Sequence, residues 1–331
     1  MLTGVKIENF RGVSEGGVEG LAPISILVGP NNSGKSTVLE AIAALGLGVN
    51  AKEVAGFLTR RGGPPLDALA RVIGRSAKQA TISANGSFDA RESWSTSFTL
   101  DKDKDLFHYD QAVRMVQVPN EGLVGPTSRF TIKLSDEAGA GAVGMTYMDF
   151  QGGRSSTFTQ QGNTPDALFQ TSFVDVEAVR TSGALEDAYT RLDEAGQLSK
   201  VVKSLSRSMP GLADLRILKV GTDFVLHTFF ESGPPVPAYL AGDGFKRFLE
   251  LAAAAVGTPD GVVLLEEPES FQHPRYLQEL ATLLHLAAKE GTQIILSTHS
   301  IELIDLLLHA PAAEGQTYPA VHRMRIFDGK L

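Results

Sequence analysis

The sequence predicts a mixed α/β fold with a parallel sheet, interrupted by a β-rich insertion. Three observations predict it. Apolar runs at 24–28, 262–265 and 293–297 are each followed by a turn and then by helix-forming sequence, and such runs are buried on both faces in parallel sheets. The turn after the first run, Gly29-Pro30-Asn31-Asn32-Ser33-Gly34-Lys35-Ser36-Thr37, is glycine-rich and opens a helix. From about 81 to 160 the chain changes to short segments broken by Gly, Asp, Ser and Asn, the pattern of antiparallel strands.

Taken in order, 3–10 and 24–28 read as strands from their β-branched residues and alternation. Residues 36–47 carry Val38, Leu39, Ala41, Ile42 and Leu45 among helix formers. Arg61-Gly62-Gly63-Pro64-Pro65 is a loop and 66–75 a helix. Short strands are expected at 80–83, 97–100, 114–118, 130–134 and 144–150, with a solvated turn at 101–105 and a polar, glycine-rich loop at 151–168. Helices follow at 184–193 and 198–209, strands at 215–220 and 224–229, and a proline-rich loop at 233–237. The chain then reads as helix 244–256, strand 262–265, helix 274–289, strand 293–297, helix 301–308 and a last strand 321–327. The expected division is a first lobe at 1–50, a β-rich arm at 51–170 and a second lobe at 171–331.

The 331 residues suffice for a sizeable core, and 43% hydrophobic with 21% charged residues is ordinary for a globular chain. The absence of cysteine excludes disulfides, thiolate zinc sites and a cysteine nucleophile. Near the start the longest apolar run, 24–28, is far short of a membrane span, and no basic segment followed by an apolar stretch opens the chain. A cytoplasmic protein without a membrane partner is expected. The net charge of -8 opposes whole-surface binding to nucleic acid. Residues 52–80 nevertheless hold six basic side chains (Lys52, Arg60, Arg61, Arg71, Arg75, Lys78) against two acidic ones. That segment reads first as a solvated helix face and second as a strip for DNA phosphates.

The glycine-rich turn matches G-x-x-x-x-G-K-[ST] with a strand before it and a helix after it. Gly29 and Gly34 let the N–H groups of the loop, including those of Asn31, Asn32 and Ser33, turn inward around a phosphate. The positive end of the following helix points to the same place. Lys35 is assigned to the β- and γ-phosphates, Ser36 to Mg²⁺ and Thr37 to the α-phosphate, so ATP and Mg²⁺ are the expected cofactors. The run 262–265 ends in Glu266-Glu267-Pro268-Glu269, at the strand end where ligands bind in open α/β sheets. Glu266 is assigned to the metal shell and Glu267 to the attacking water. The run 293–297 ends in Thr298-His299-Ser300, and a neutral His299 there can hydrogen-bond a γ-phosphate. The other histidines read as structural or surface residues, His273 being the possible exception because it follows the acidic motif. Gly242-Asp243-Gly244 opens a helix, either as a start capped by Asp243 or as a nucleotide-facing loop.

The order of phosphate loop, glycine-rich helix start, acidic strand and strand-end histidine resembles the ABC-type P-loop ATPases. Ile7-Glu8-Asn9-Phe10-Arg11-Gly12, Leu240-Ala241-Gly242-Asp243-Gly244-Phe245, Glu266-Glu267-Pro268-Glu269 and Ser297-Thr298-His299-Ser300 resemble the RecF/SMC-related branch, and within it the OLD-type (overcoming lysogenization defect) ATPases. The resemblance covers about 1–50 and 170–331. It implies an ABC ATPase head in which two subunits sandwich two ATP molecules, with Gly242, Asp243 and Gly244 acting on the partner's nucleotide. It also implies that Arg11 reaches the nucleotide and that a glutamine, with Gln170 the candidate, lies near the metal. Three departures stand out: Glu266 where Asp is commoner, Ala241 where Ser is usual, and only 32 residues after His299, which leaves no room for the Toprim nuclease of OLD proteins. The expectation is a nucleotide-gated homodimer controlling a separate effector such as a nuclease, in antiviral defence. The alternatives are a RecF-like repair ATPase that binds DNA and a transporter ATPase. The separation of 231 positions from Lys35 to Glu266 disfavours the transporter. A non-hydrolysing scaffold is opposed by intact Lys35, Ser36 and Glu267.

Overall fold

The computed structural model describes residues 1–47, 56–58, 60, 72, 77, 79–88, 91–101, 116–118, 121–136, 139–150, 153–161, 169–176, 183–309 and 318–331, of which 88–161 are described as backbone. The chain divides into two compact units.

The first unit comprises Met1, Gly20–Leu39 and Gln170–Met324. Its centre is a five-stranded sheet of β3 (Ile24–Val28), β10 (Thr171–Val174), β14 (Val262–Glu266), β15 (Gln293–Ser297) and β16 (Ala320–Arg323), in the order β10-β14-β15-β3-β16. All neighbours are parallel. The apolar runs behave as their composition requires: Ile26, Leu27, Val263 to Leu265 and Ile294 to Leu296 are fully buried. Parallel neighbours need crossovers. Helices α4 (Asp243–Val256), α5 (Pro274–Lys289) and α6 (Ile301–Leu308) lie between successive strands of this sheet in the chain. The buried side of α4 runs from Phe245 to Val256 and joins Leu277, Leu280 and Leu284 of α5 in one core cluster. Pro274 fixes the first turn of α5, and the His273 ring accepts the Arg275 N–H at 3.3 Å. His273 is therefore a helix cap. Before α4, the helices α2 (Ala184–Glu194) and α3 (Leu198–Ser208) pack into the same core. A three-stranded antiparallel sheet of β11 (Leu212–Val220), β12 (Asp223–Phe230) and β13 (Val236–Pro237) follows them.

The second unit comprises Leu2–Glu19, Glu40–Phe169 and Arg325–Leu331. It is an eight-stranded sheet of β1 (Leu2–Phe10), β2 (Val13–Glu19), β4 (Gln79–Phe88), β5 (Arg91–Asp101), β6 (Val116–Val118), β7 (Glu121–Asp136), β8 (Gly139–Phe150) and β9 (Gly153–Gln161). Its order is β2-β1-β4-β5-β7-β8-β9, with β6 on β7, and every ladder is antiparallel. Helix α1 (Lys35–Gly46) begins in the first unit and ends in the second. Within the second unit Glu40 takes two cations: Arg11, and Arg60 at 2.8 Å.

The antiparallel sheet departs most from the sequence expectation. The expected loop at 151–168 contains β9, whose ladder with β8 runs from Phe150↔Gly153 to Ala142↔Gln161. Ladder bonds use the backbone, so a Ser/Thr-rich segment joins a sheet as readily as an apolar one. The strands expected at 97–100, 130–134 and 144–150 are pieces of longer strands, and β2 was not foreseen, because Glu15, Gly16 and Gly17 mask its alternation. The expected strand 321–327 ends at Arg323. The expected helix 66–75 lies outside the described residues apart from Val72, as do 102–105 of the expected turn.

Candidate nucleotide site at the ends of the parallel strands

The phosphate loop leaves β3 at Val28 and enters α1 at Lys35. A Cβ on Gly29 would lie 2.4 Å from Met324 O and 2.8 Å from Ser33 Oγ, so only glycine lets the loop close here. Gly34 and Asn32 have φ of 91° and 60°, which folds the loop back on itself. Lys35 is 6% exposed, and its Nζ donates to Gly29 O at 2.9 Å and Pro30 O at 3.0 Å. Burial lowers its pKa, while Glu267, Glu266 and Glu269 pull in the opposite direction. Its hydrogen bonds are thus to neutral carbonyls. Ser33 Oγ is buried and has no hydrogen-bond partner among the described residues. Ser36 and Thr37 are half-buried in the first turn of α1, which carries no acidic residue. Asn31 and Asn32 are exposed on the loop.

Glu266 ends β14 in register with Ser297 of β15, which is in register with Leu27 of β3. The acidic pair and the strand-end histidine therefore lie on neighbouring strands beside the phosphate loop. Glu267 has φ of 43°, a left-handed conformation uncommon for a non-glycine residue, and its N–H donates to Ser297 O at 3.0 Å. Strain of this kind persists where surrounding structure enforces it. The Glu267 carboxylate lies 3.8 Å from His299 Nε2, with both side chains about 40% exposed (41% and 40%).

Two residues to which sequence reasoning gave no role complete the site. Glu269 accepts bonds from Thr298 Oγ1 and the His299 N–H. Arg247 of α4 is 0% exposed; it donates to Glu266 O at 2.9 Å and also to Asp175 O. Burial lowers its pKa against the pull of Glu250, Asp175, Glu266 and Glu269. Glu250 stands at i+3 from Arg247, between the apolar Phe248, Leu249 and Leu251, so the cue was an Arg and a Glu one turn apart within the apolar run of a helix.

Gly242, with an extended backbone, is the N-cap of α4 and makes no side-chain cap bond; Asp243 is the first helical residue and its carboxylate is exposed beside Lys246 at 3.3 Å. The structure thus removes the Asp243 cap. A Cβ on Gly244 would lie 3.0 Å from Phe271 O, so this glycine has a packing role besides any other. Gln170 is a correction. Its carbonyl accepts the Val262 N–H at 2.8 Å at the start of β14, the opposite end of the strand from Glu266. At ~3.3 Å per residue that places it well over 10 Å from Glu266. Arg11 belongs to the second unit, where its guanidinium pairs with Glu40 and donates to Leu58 O at 3.2 Å.

The residues present fit a nucleoside triphosphate with Mg²⁺. The loop is a cradle that a Cβ at Gly29 would fill, and it holds a buried ammonium that donates to the neutral carbonyls of Gly29 and Pro30. The Ser33 hydroxyl is an orphaned donor in that cradle. The Ser36 hydroxyl and Glu266 carboxylate are the hard oxygen donors Mg²⁺ prefers.

Fold and site define a class: an ABC-like P-loop ATPase fold, mixed α/β on a parallel sheet. Comparisons with known proteins agree. Residues 152–305 match the family model described as "AAA domain, putative AbiEii toxin, Type IV TA system", and residues 1–59 the one described as "AAA ATPase domain". An SMC head bound to the C-winged helix domain of ScpA aligns with a TM-score of 0.53 and 13% identity, covering 99% of this chain and 96% of that one. The SMC head domain from Thermotoga maritima aligns with a TM-score of 0.50 and 15% identity, again over 99% and 96%. At such identities the likeness is one of fold. Among curated proteins, an uncharacterized protein of Methanocaldococcus jannaschii is 37% identical over 75 residues, 22% of this chain and 66% of that one. A "putative ABC transporter ATP-binding protein" of Methanothermobacter marburgensis is 36% identical over 77 residues, 23% of this chain and 26% of that one. The chain thus spans less than two thirds of the length of these relatives. Among the described residues no helix is long and apolar enough to cross a membrane.

Proposed function

We propose that the chain binds and hydrolyses ATP in the cytoplasm as a nucleotide-gated homodimer of the OLD-like branch, and that its closure controls a separate effector in antiviral defence. The carrying observation is the convergence of Lys35, Glu267 and His299 at the ends of three neighbouring parallel strands, with Glu267 3.8 Å from His299. Lys35 exchanges its loop carbonyls for phosphate oxygens, and the N–H groups of Gly29 to Gly34 hold the remaining charge. Ser36 and Glu266 would hold Mg²⁺, which supplies positive charge to the phosphate oxygens. Glu267 takes a proton from the attacking water, and His299 donates a hydrogen bond to the terminal phosphate. Two features support pairing of two copies. The helix start at Gly242 to Gly244 carries the exposed Tyr239 and Leu240 just before it, and the fold is shared with SMC heads. The defence role rests on the family description and on the resemblance of the motifs. DNA binding through the basic strip has less support, because Arg60 is committed to Glu40 and stacks over Phe57 with 4.1 Å to the ring centroid.

Glu267→Gln tests the reading. The variant is expected to bind ATP, to hydrolyse it ~10²–10⁴-fold more slowly and to accumulate as a dimer, measured by mass photometry with ATP and Mg²⁺. Hydrolysis at the wild-type rate would remove Glu267 from the role of base. A monomer at every nucleotide concentration would remove the gated dimer.

A further inference from the structure

Glu269 joins two of the strand ends that form the site. It follows Pro268 in a turn closed by Ser270 N–H to Glu267 O and Gln272 N–H to Glu269 O, both 3.0 Å. This turn sends the carboxylate back to the end of β15. There a single oxygen, Oε1, accepts from Thr298 Oγ1 at 2.7 Å and from the His299 N–H at 2.8 Å. Thr298 Oγ1 in turn accepts the Ser300 N–H at 2.9 Å. One carboxylate therefore ties down three consecutive residues between β15 and α6. Thr298 is 1% exposed, and the second oxygen of Glu269 is buried with no hydrogen-bond partner among the described residues. Hydrogen bonds to an ionised acceptor are short and about twice as strong as neutral ones.

We propose that Glu269 is a positioning residue: it clamps the backbone at His299 and so sets where the imidazole stands over the phosphate end of the site. The proposal rests on the ATPase reading above. The bond goes to the main-chain N–H, so it fixes the origin of the side chain and leaves both ring nitrogens to other partners. Glu267 does not hold the ring instead, because 3.8 Å is too long for a hydrogen bond. With the Glu267 N–H on Ser297 O, the acidic turn and the histidine turn are tied twice and move together. A small displacement of a catalytic group can cost ~10²-fold in rate, so a clamp on the backbone of His299 acts on turnover more than on affinity.

The test uses Glu269→Ala, which removes the acceptor, and Glu269→Gln, which keeps an oxygen for both donors and removes the charge. Glu269→Ala is expected to lower kcat for ATP by ~10–100-fold while the affinity for a fluorescent ATP analogue stays within about threefold. Glu269→Gln is expected to retain most of the wild-type kcat. With ¹⁵N-histidine labelling, the His299 amide signal, assigned by its loss in His299→Gln, moves in Glu269→Ala and stays near its place in Glu269→Gln. An unchanged kcat or an unmoved amide in Glu269→Ala overturns the proposal, and so does Glu269→Gln behaving as badly as Glu269→Ala. Should Glu269→Ala fail to fold, Thr298→Val has to move the same amide and spare nucleotide affinity, or the clamp is rejected. If the wild type hydrolyses no ATP, the ATPase reading falls, and the amide signal alone still decides the clamp.

Discussion

In the first unit β14, β15 and β3 run the same way, so Glu266, Ser297 and Leu27 lie side by side although the chain separates them widely. In the second unit β1 and β2 are antiparallel, and Gly4↔Glu19 at one end becomes Phe10↔Val13 at the other. An antiparallel hairpin such as β1–β2 returns the chain beside itself, whereas parallel pairing collects distant strand ends on one edge. Helix α1 carries two buried charges, Lys35 in the first unit and Glu40 in the second. Among the described residues Lys35 hydrogen-bonds to the carbonyls of Gly29 and Pro30, whereas Glu40, with a side chain 1% exposed, is matched by the guanidinium groups of Arg11 and Arg60. A buried ion held by neutral groups has most to gain from a ligand of opposite charge; one matched within the fold is complete and structural.

The largest effect expected from this difference is at Lys35. Lys35→Ala should weaken ATP binding by more than ~100-fold, or over 2.7 kcal/mol, in a titration with a fluorescent analogue. The thermal midpoint should hold or rise, because burial already disfavours the ammonium. A loss of affinity under about tenfold would break the distinction between the two buried ions.

The same substitution at two glycines sharpens it. Gly29→Ala puts a Cβ 2.4 Å from Met324 O in the phosphate loop, and Gly17→Ala puts one 2.1 Å from Val5 O in the β1–β2 ladder. Each should lose ~1–3 kcal/mol in urea denaturation, as overpacking does. Only Gly29→Ala should also lose nucleotide affinity. Equal affinities in the two variants would show that the loop tolerates a wider opening.

Much of the first unit was legible because its signals are local. A run such as Val262 to Leu265 has one solution in a parallel sheet, and the phosphate loop has a spacing set by the ligand. The strand and helix limits at 24–28, 274–289, 293–297 and 301–308 were foreseen to the residue. The second unit was less legible because ladder partners are chosen over long distances: β5 pairs with β7 across a wide gap in sequence, and β9 carries almost no apolar signal. The site was legible where motif spacing carried it and not where packing did. Nothing in the order of residues tells that the Arg247 guanidinium reaches Glu266 O, or that Glu269 folds back to His299. Gln170 shows the converse, since the resemblance suggested the metal and the direction of β10 put it at the other edge.

The smallest effect concerns a third buried charge, Glu250, which lies between the extremes of Lys35 and Glu40. It is 3% exposed on α4, and one of its oxygens has no hydrogen-bond partner among the described residues. With Val174, Asp187 and Arg191 it lines a cavity of about 550 Å³. Burial pushes its carboxyl up to about 7, although Arg247 and Arg191 pull it down; Asp175 adds to the rise. The unfolded chain releases this proton near 4.5, so between 4.5 and 7 the folded state holds more protons than the unfolded one. Stability contributed by the neutral carboxyl is therefore present at acid pH and lost as pH rises through 7. Glu250→Gln removes the titration and keeps the shape. From pH 5 to pH 8 the wild type should lose ~1–3 kcal/mol more than the variant in urea denaturation. Parallel curves for the two proteins would mean that Arg247 and Arg191 satisfy Glu250 as fully as Arg11 and Arg60 satisfy Glu40, and would place it with the closed charges of the antiparallel unit.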